Sequence, residues 1–317
     1  MPMKILVLGA GGTGGYFGGR LAQAGADVAF LVRPKRAAQL AADGLIIESV
    51  SDRVAFKVNT VSAETVQPHY DIILLSCKAY DLDSSIAAIR GAMHETTCVV
   101  PLLNGISHLD ALDAAFGRAR VMGGSCQIFA TLAADGVVKS LGDVQALLWG
   151  PREPNAAQVA ASAELANWYG KTNVMWTASD NIVQDMWEKI VFLSTFAGMT
   201  CLMRGNVGEI LATDDGKALM QRYVDSTIAV ATAEGFPPRD SRVERFLKVL
   251  NSVGSPVTAS MLRDLEAGNE IEAAHIVGFM LNKARQHKID DTLLSIAYGH
   301  LQTYRNRRAA GRLPSIQ

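Results

Sequence analysis

Three glycines near the start of the chain, Gly9, Gly11 and Gly14, have the spacing G-x-G-x-x-G. An apolar run precedes them and a helix-like pattern follows them. Between a strand and a helix, glycines at this spacing let the backbone turn tightly, approach a pyrophosphate and pack closely, and the helix N-terminus adds N–H groups. The alternative is a glycine-rich turn that binds nothing. We predict a dinucleotide-binding turn made of Gly9, Ala10, Gly11, Gly12, Thr13 and Gly14.

The second predicted strand runs from Asp27 to Val32. The residues that follow it indicate which dinucleotide the chain binds. Chains that bind NAD place Asp or Glu there to hold the ribose 2′-hydroxyl. Here the sequence LVRPKR has no acid and carries Arg33, Lys35 and Arg36. Because an arginine can form two hydrogen bonds to a 2′-phosphate, we predict NADP(H) as the cofactor. A solvated basic loop is the alternative, but it leaves the missing acid unexplained.

Two further polar residues follow apolar runs that are typical of buried strands. Lys78 comes after the run from Asp71 to Ser76, and Asn104 after the run from Cys98 to Leu103. Ligands of open parallel sheets bind outside the carboxyl ends of the strands. We therefore expect both side chains at the same edge as the glycine turn. The alternatives are a lysine that simply ends a strand and an Asn-Gly turn.

Lys189 stands at the start of an uncharged apolar stretch, Ile190 to Met203. A lysine that borders a buried helix face loses part of its solvation, which lowers its pKa and makes it a better proton donor near neutral pH. The alternative places the ammonium at the surface beside Glu188.

The elements that must position these residues form an α/β pattern followed by helices. We predict an N-terminal, Rossmann-type doubly wound sheet that binds NADP over residues 1–178, and an all-helical substrate and catalytic domain over residues 179–317. Within the first domain, a hairpin around Gly142-Asp143 is expected to add antiparallel strands to the sheet edge. The second domain is expected to begin with a long helix from Asn181 to Arg204.

The composition of this chain of 317 residues limits the classes of partner that we expect it to bind. It is 49% hydrophobic and 19% charged with a formal net charge of −1, which argues against a nucleic-acid surface. No apolar stretch reaches the roughly 18 residues of a spanning helix, and no targeting pattern is present. The cysteine spacing predicts reduced cytoplasmic thiols and no metal site. The apolar helical half fits a monomer's core and a homodimer interface equally.

Six features resemble the ketopantoate reductases (2-dehydropantoate 2-reductases) over nearly the whole chain. They are VLGAGGTGGYFG, the arginine after the second strand, SCKAYD, PLLNGI, MWEKIVF and SMLRDLEAGNEIEAAHIVG. Their order and spacing are more specific than any one of them. The resemblance implies a Rossmann domain, a helical C-terminal domain and an active site in the cleft between them. It also implies hydride transfer from NADPH to the keto carbon of a 2-keto acid.

The resemblance further implies roles for single residues on the catalytic side. Lys189 corresponds to the family's proton-donating lysine, Glu272 to its active-site glutamate and Ser260 to a serine that contacts substrate. Glu272 would hydrogen-bond a substrate or ribose hydroxyl and help to hold Lys189. The alternatives are a glutamate favoured by a helix dipole and a serine hydroxyl satisfied within its own helix.

On the cofactor side, the resemblance implies that Arg33 contacts the 2′-phosphate and that Lys78 lies near the cofactor. Asn104 corresponds to an asparagine near both cofactor and substrate.

The sequence departs from the resemblance one and two turns after Lys189, where ketopantoate-specific members carry asparagines. Here the positions are Leu193 and Ala197, so the helix face beyond the lysine is apolar. The end of the glutamate motif is also changed, to Val277-Gly278. The first hypothesis is reduction of 2-dehydropantoate to pantoate in pantothenate biosynthesis. The alternatives are a paralogue for a more apolar 2-keto acid and a non-catalytic NADP-binding sensor.

Overall fold

A computed structural model describes residues 3–313 and divides the chain into two units. The first unit ends at Val183 and lacks Gly105–Ser107, while the second consists of Gly105–Ser107 and the chain from Gln184 onward. The assignment of NADP binding to residues 1–178 and of catalysis to residues 179–317 stays a prediction.

The described residues contain ten strands and twelve α-helices. The strands are β1 (Lys4–Leu8), β2 (Asp27–Leu31), β3 (Leu45–Glu48), β4 (Arg53–Phe56), β5 (Asn59–Val61), β6 (Ile72–Leu75), β7 (Cys98–Pro101), β8 (Gly123–Leu132), β9 (Val138–Gly150) and β10 (Met175–Ala178). The helices are α1 (Gly12–Gln23), α2 (Pro34–Asp43), α3 (Leu82–Ile89), α4 (His108–Phe116), α5 (Ala156–Tyr169), α6 (Ile182–Met203), α7 (Val207–Leu211), α8 (Gly216–Ala233), α9 (Asp240–Leu250), α10 (Ser260–Glu266), α11 (Phe279–Gln286) and α12 (Thr292–Ala309).

The first unit is built on a five-stranded parallel sheet of order β5-β2-β1-β6-β7. Its central strands are apolar along their length because helices cover both faces of such a sheet, and Ile5, Leu74 and Val100 are fully buried. The carboxyl end of β1 pairs with those of β2 and β6, so the loops that leave these strands share one edge. The predicted fold class, a Rossmann-type sheet followed by helices, is confirmed.

The predicted hairpin around Gly142-Asp143 is wrong. These residues lie within β9, and the hairpin is formed by β8 and β9 with its turn at residues 133–137. The pairing register shifts between Ile128 and Ala130, opposite the segment that contains Gly142, so this glycine lies in a bulge instead of a turn. The hairpin also belongs to a second sheet, β10-β9-β3-β4 with β8 paired to β9, and not to the edge of the parallel sheet.

The second unit is helical, as predicted, and contains one irregular segment. The long helix expected from Asn181 to Arg204 is α6, and no strand follows β10 within residues 179–313. Helix α10 begins at Ser260, four residues after Pro256. A π-helical turn, Ala274–Gly278, precedes α11 and is called the π segment below.

Helix α6 is largely apolar, and its aromatic side chains pack on other residues of the second unit. Trp187 stacks on Phe236 and also packs on Phe279 of α11, and Phe192 packs on Phe246 of α9. Although α6 is long and apolar, no helix within residues 3–313 has both the length and the composition needed to cross a membrane.

Two of the four cysteines are core residues. Cys98 in β7 and Cys201 in α6 are buried, and burial raises the pKa of the Cys98 thiol to about 11 and that of Cys201 to about 12. Both thiols are therefore protonated at neutral pH and act as small apolar groups.

Candidate active site

The glycine turn follows β1 directly, and each of its three motif glycines meets a different steric demand. Gly9 has φ +88°, which strains residues with a side chain. A Cβ atom at Gly14 would collide with the carbonyl oxygen of Gly9 and the hydroxyl of Ser76. A Cβ atom at Gly11 would meet nothing within 4 Å, so this glycine borders open space. The second glycine therefore leaves room for a ligand, while the other two build the turn.

Hydrogen bonds fix this turn to the ends of the neighbouring strands. The Gly9 N–H donates to the Leu31 carbonyl at 2.9 Å, and the Ser76 hydroxyl donates to the Leu8 carbonyl at 2.7 Å. Helix α1 begins at Gly12 with Gly11 as its N-cap, and Gly11 supplies no side-chain cap to the first N–H groups. Uncapped N–H groups beside open space suit an anion, so these residues fit the diphosphate of a dinucleotide.

Arg33 and the segment after β6 approach each other at this edge of the sheet. Arg33 is the N-cap of α2, and its side chain is 84% exposed. Its guanidinium lies 4.0 Å from the Asp81 carboxylate, three residues after Lys78. Lys78 is exposed and immediately precedes a short 3₁₀ helix. The two basic residues predicted near the cofactor therefore lie on loops that leave β2 and β6, the two neighbours of β1.

Arg36, one of the three basic residues that follow β2, contacts the glycine turn itself. Its Nε donates to the Ala10 carbonyl at 3.1 Å. Its Nη1 donates to the Gly136 carbonyl at 3.0 Å and to Gln39 Oε1 at 2.7 Å. No pattern in the hexapeptide distinguishes Arg36 from Arg33, because the acceptors are backbone groups elsewhere in the chain.

Asn104 follows β7 and is half-buried. The next three residues, Gly105–Ser107, belong to the second unit, where Ser107 Oγ lies 3.2 Å from His275 Nδ1 in the π segment. Gly105 has φ +88°, and a Cβ atom there would lie 2.8 Å from the His275 carbonyl oxygen. The glycine after Asn104 is therefore required both by backbone conformation and by this close approach.

Lys189 lies on α6 and is half-buried. Its neighbour Glu188 is 2% exposed, and its carboxylate accepts hydrogen bonds from Arg239 Nε at 2.7 Å and Nη2 at 2.6 Å. Arg242 Nε lies 3.3 Å from the same carboxylate. Burial alone would raise the pKa of Glu188, but the hydrogen bonds from Arg239 and Gln184 hold it below its usual range. Glu188 is therefore an ionised anchor for two arginines.

The row that starts at Lys189 continues through Leu193 and Ala197 on the unbroken helix α6. Leu193 is half-buried and Ala197 is buried. The neighbouring hydroxyls point elsewhere: Thr195 donates to the Val191 carbonyl at 3.0 Å, and Ser194 lies beside Tyr223 of α8. The helix face beyond Lys189 therefore carries no polar side chain at these two turns.

Glu272 lies two residues before the π segment and is only 9% exposed. Single π turns of this kind are frequent at functional sites. Within the π segment, a Cβ atom at Gly278 would lie 2.8 Å from the Tyr298 ring of α12, so this glycine allows close helix packing. Ser260 is the exposed first residue of α10, whose Met261 and Leu262 are buried.

A parallel sheet with a glycine turn at its first strand, followed by a helical unit, defines a Rossmann-type nucleotide-binding protein. Comparison with known families gives the narrower assignment. Residues 5–154 match the model of ketopantoate reductase PanE/ApbA, and residues 181–305 match the model of its C-terminal domain. The chain belongs to the ketopantoate reductase PanE/ApbA family, whose members are oxidoreductases that act on CH–OH groups. The predicted family and enzyme class are confirmed.

Individual relatives agree over nearly the full length. The uncharacterized oxidoreductase YkpB of Bacillus subtilis (strain 168) is 35% identical over 303 residues, which cover 95% of this chain and 99% of YkpB. The 2-dehydropantoate 2-reductase of Halobacterium salinarum is 25% identical over 289 residues, covering 90% of this chain and 94% of the relative.

Solved structures show the same fold. The crystal structure of 2-dehydropantoate 2-reductase from Geobacter metallireducens GS-15 superposes with a TM-score of 0.84 at 27% identity, covering 95% of this chain and 99% of that one. The ternary structure of D-mandelate dehydrogenase with NADH and anilino(oxo)acetate also has a TM-score of 0.84, at 22% identity over 97% of this chain and 100% of that one.

Proposed function

We propose that this chain reduces a 2-keto acid to the corresponding 2-hydroxy acid with NADPH. The observation that carries the proposal is Lys189, a half-buried lysine on the buried helix α6 in a member of a family of CH–OH oxidoreductases. A lysine ammonium positioned at a carbonyl oxygen can stabilise the negative charge that develops there and donate its proton to it.

The reaction adds one hydride and one proton to the ketone. A bound reduced nicotinamide supplies the hydride to the carbonyl carbon. As the C=O π bond breaks, negative charge develops on the oxygen, and the Lys189 ammonium stabilises that charge and transfers its proton to the oxygen. Glu272 accepts a hydrogen bond from a substrate or ribose hydroxyl and orients the lysine, while Asn104 and Ser260 bind the substrate.

The choice of NADPH over NADH rests on the residues that follow β2. No acid is present there to bind a 2′-hydroxyl, and the exposed Arg33 guanidinium is available to a 2′-phosphate. Lys78, on the loop that leaves β6, adds a second positive charge at the same edge.

The first candidate for the substrate is 2-dehydropantoate, after which several of the relatives are named. The second candidate is a 2-keto acid with an apolar side chain. Leu193 and Ala197 favour it, because a wall without hydrogen-bonding groups cannot select for a substrate hydroxyl.

Two substrates that differ by a single hydroxyl test the choice. Trimethylpyruvate has the branched carbon skeleton of 2-dehydropantoate without its hydroxyl. We expect NADPH oxidation with both and compare their kcat/KM. A ratio above about a hundred in favour of 2-dehydropantoate supports the first candidate, since a site built to bind a hydroxyl discriminates strongly. A ratio near one or below supports the apolar substrate.

The variant Leu193→Asn sharpens this test, since it places an amide one turn after Lys189. The kcat/KM ratio of 2-dehydropantoate to trimethylpyruvate should rise in this variant. Tight NADPH binding by the wild-type protein with no turnover of any 2-keto acid would instead identify the non-catalytic sensor.

A further inference from the structure

We infer that Arg36 is a positioning residue for the cofactor diphosphate: it fixes the glycine turn to the β8–β9 hairpin and supplies an uncompensated positive charge beneath that turn. This inference rests on the proposed use of a nicotinamide dinucleotide. It assigns to Arg36 a role distinct from that of Arg33, which lies three residues earlier in the same basic hexapeptide.

The geometry joins three separate parts of the first unit through one guanidinium. Nε donates to the Ala10 carbonyl in the glycine turn, and Nη1 donates to the Gly136 carbonyl in the hairpin turn, a hundred residues later in the chain. Gln39, one turn further along α2, also accepts from Nη1, at 2.7 Å. A planar guanidinium has the donor directions that such a three-way contact needs, which an ammonium lacks.

The turn of the β8–β9 hairpin brings its backbone close to Arg36 and Gln39. Gly136 has φ +83°, and a Cβ atom there would collide with the Gln39 amide. The hairpin also touches the beginning of α1, because a Cβ atom at Gly12 would lie 2.8 Å from the Ala130 carbonyl oxygen. The hairpin therefore approaches the glycine turn at two points. One is the close approach of Ala130 to Gly12, and the other is the bridge that Arg36 makes.

The charge of Arg36 has no carboxylate partner within residues 3–313. Its three acceptors are two backbone carbonyls and an amide, and its Nη2 is buried without an acceptor in that part of the chain. Burial lowers the pKa of this guanidinium, which nonetheless stays protonated at neutral pH. A partly buried cation without a counter-charge is costly, and a diphosphate bound at the adjacent turn offsets that cost.

Nucleotide binding tests the inference without any keto acid. The dissociation constants of NADPH and NADH are measured by fluorescence titration for the wild-type protein, Arg36→Gln and Arg36→Lys. The exposed neighbour substitution Lys35→Gln removes the same charge and serves as the control. We expect Arg36→Gln to weaken both nucleotides about tenfold, by the same factor, because the diphosphate is common to them. Arg36→Lys should recover part of the loss, and Lys35→Gln should change either constant less than about twofold.

Several outcomes would overturn the inference. A loss confined to NADPH would mean that Arg36 reads the 2′-phosphate. A lower melting temperature of the nucleotide-free Arg36→Gln protein with unchanged dissociation constants would mean a purely structural role. An equal loss in Lys35→Gln would mean a non-specific effect of charge.

A milder variant covers the case in which Arg36→Gln does not fold. Gln39→Leu keeps the charge and removes one acceptor that orients the guanidinium. We expect it to weaken both nucleotides equally by about threefold, and unchanged constants would refute the inference. If the wild-type protein binds neither nucleotide, the proposed function fails. If it binds both and the Arg36 variants match it, only the present inference fails.

Discussion

The glycine turn of the first unit and helix α6 of the second unit present their functional groups from different parts of the polypeptide. At the turn, the groups available to a phosphate are backbone N–H groups, and Gly11 borders open space. On α6, the proposed functional group is the terminal amine of one side chain, Lys189, on a helix whose aromatic residues pack on α9 and α11. A site made of backbone groups should lose function when a substitution adds side-chain atoms, whereas a site made of one side chain should lose function when a substitution removes them.

A buried ion pair of the first unit and one of the second unit differ in which charge is buried. In the first unit the buried member is a cation: Arg20 is 2% exposed and binds the part-exposed Asp52 at 2.6 Å. In the second unit the buried member is an anion: Glu188 is bound by Arg239, which is 50% exposed. Loss of Asp52 leaves the buried Arg20 charge without this counter-charge, at a cost of about 3 kcal/mol or more, whereas loss of Arg239 leaves Glu188 with Arg242 as its remaining cationic partner.

The largest effect is expected at the side-chain site. Lys189→Ala removes the proposed proton donor, so kcat should fall about a thousandfold while the dissociation constant of NADPH changes less than about twofold. Single-turnover and binding measurements separate the two quantities. Lys217→Ala, at an exposed position of α8, is the matched control and should retain activity. Activity that survives in Lys189→Ala would exclude this residue as the proton donor.

The backbone site should respond to added methyl groups in two distinct ways. Gly14→Ala forces a Cβ atom against the Gly9 carbonyl, so the free energy of unfolding should drop by about 3 kcal/mol. Gly11→Ala has room for its methyl group, so its stability should be nearly unchanged while nucleotide binding weakens. Thermal unfolding and NADPH titration of the two variants provide the measurement. Equal stability of both would contradict the assignment of Gly14 to packing.

Cofactor selectivity should depend on one exposed side chain. Arg33→Gln is expected to weaken NADPH binding about thirtyfold and to leave NADH nearly unchanged, because only NADPH carries the 2′-phosphate. The ratio of the two dissociation constants is the measurement. Parallel losses for both nucleotides would show that Arg33 acts on a part they share.

The smallest effect concerns stability in acid and compares the carboxylates of Glu188 and Glu266. The pKa of Glu188 is held below its ordinary value in the folded protein, so the unfolded chain binds its proton more readily. Its contribution to stability is therefore present above the ordinary carboxyl pKa and is lost as pH falls through the folded value. Glu188→Gln should remove this part of the acid sensitivity, a difference of about 3 °C in the fall of melting temperature between pH 7 and pH 4.

Calorimetry over that pH range provides the measurement. Glu266→Gln, at an exposed position of α10, should retain the acid sensitivity of the wild-type protein. A Glu188→Gln protein with the same pH dependence as wild type would show that the ion pair with Arg239 adds nothing to stability.

The hairpin shows where prediction from the sequence failed, and why. Gly136 and Gly142 are both typical turn residues, but Asp135-Gly136 is the stronger local hairpin signal, so the prediction chose the wrong glycine. In the structure Gly136 has φ +83° in the turn, whereas Gly142 lies in a bulge of β9. The turn forms at this Asp-Gly pair, and the pairing of β9 with β8 accommodates Gly142 in a bulge.

Local order along the chain was enough to determine β1, the glycine turn and the long helix α6, because each is encoded by neighbouring residues whose spacing sets backbone conformation. The family was indicated by the order of six motifs along nearly the whole chain. The tertiary structure alone decided that Arg36 contacts the Ala10 and Gly136 carbonyls and that Gly105–Ser107 packs with the π segment. These contacts join residues far apart in the chain. Those of Arg36 end on backbone carbonyls, and a backbone carbonyl has the same chemistry in every residue, so no residue type marks it in advance.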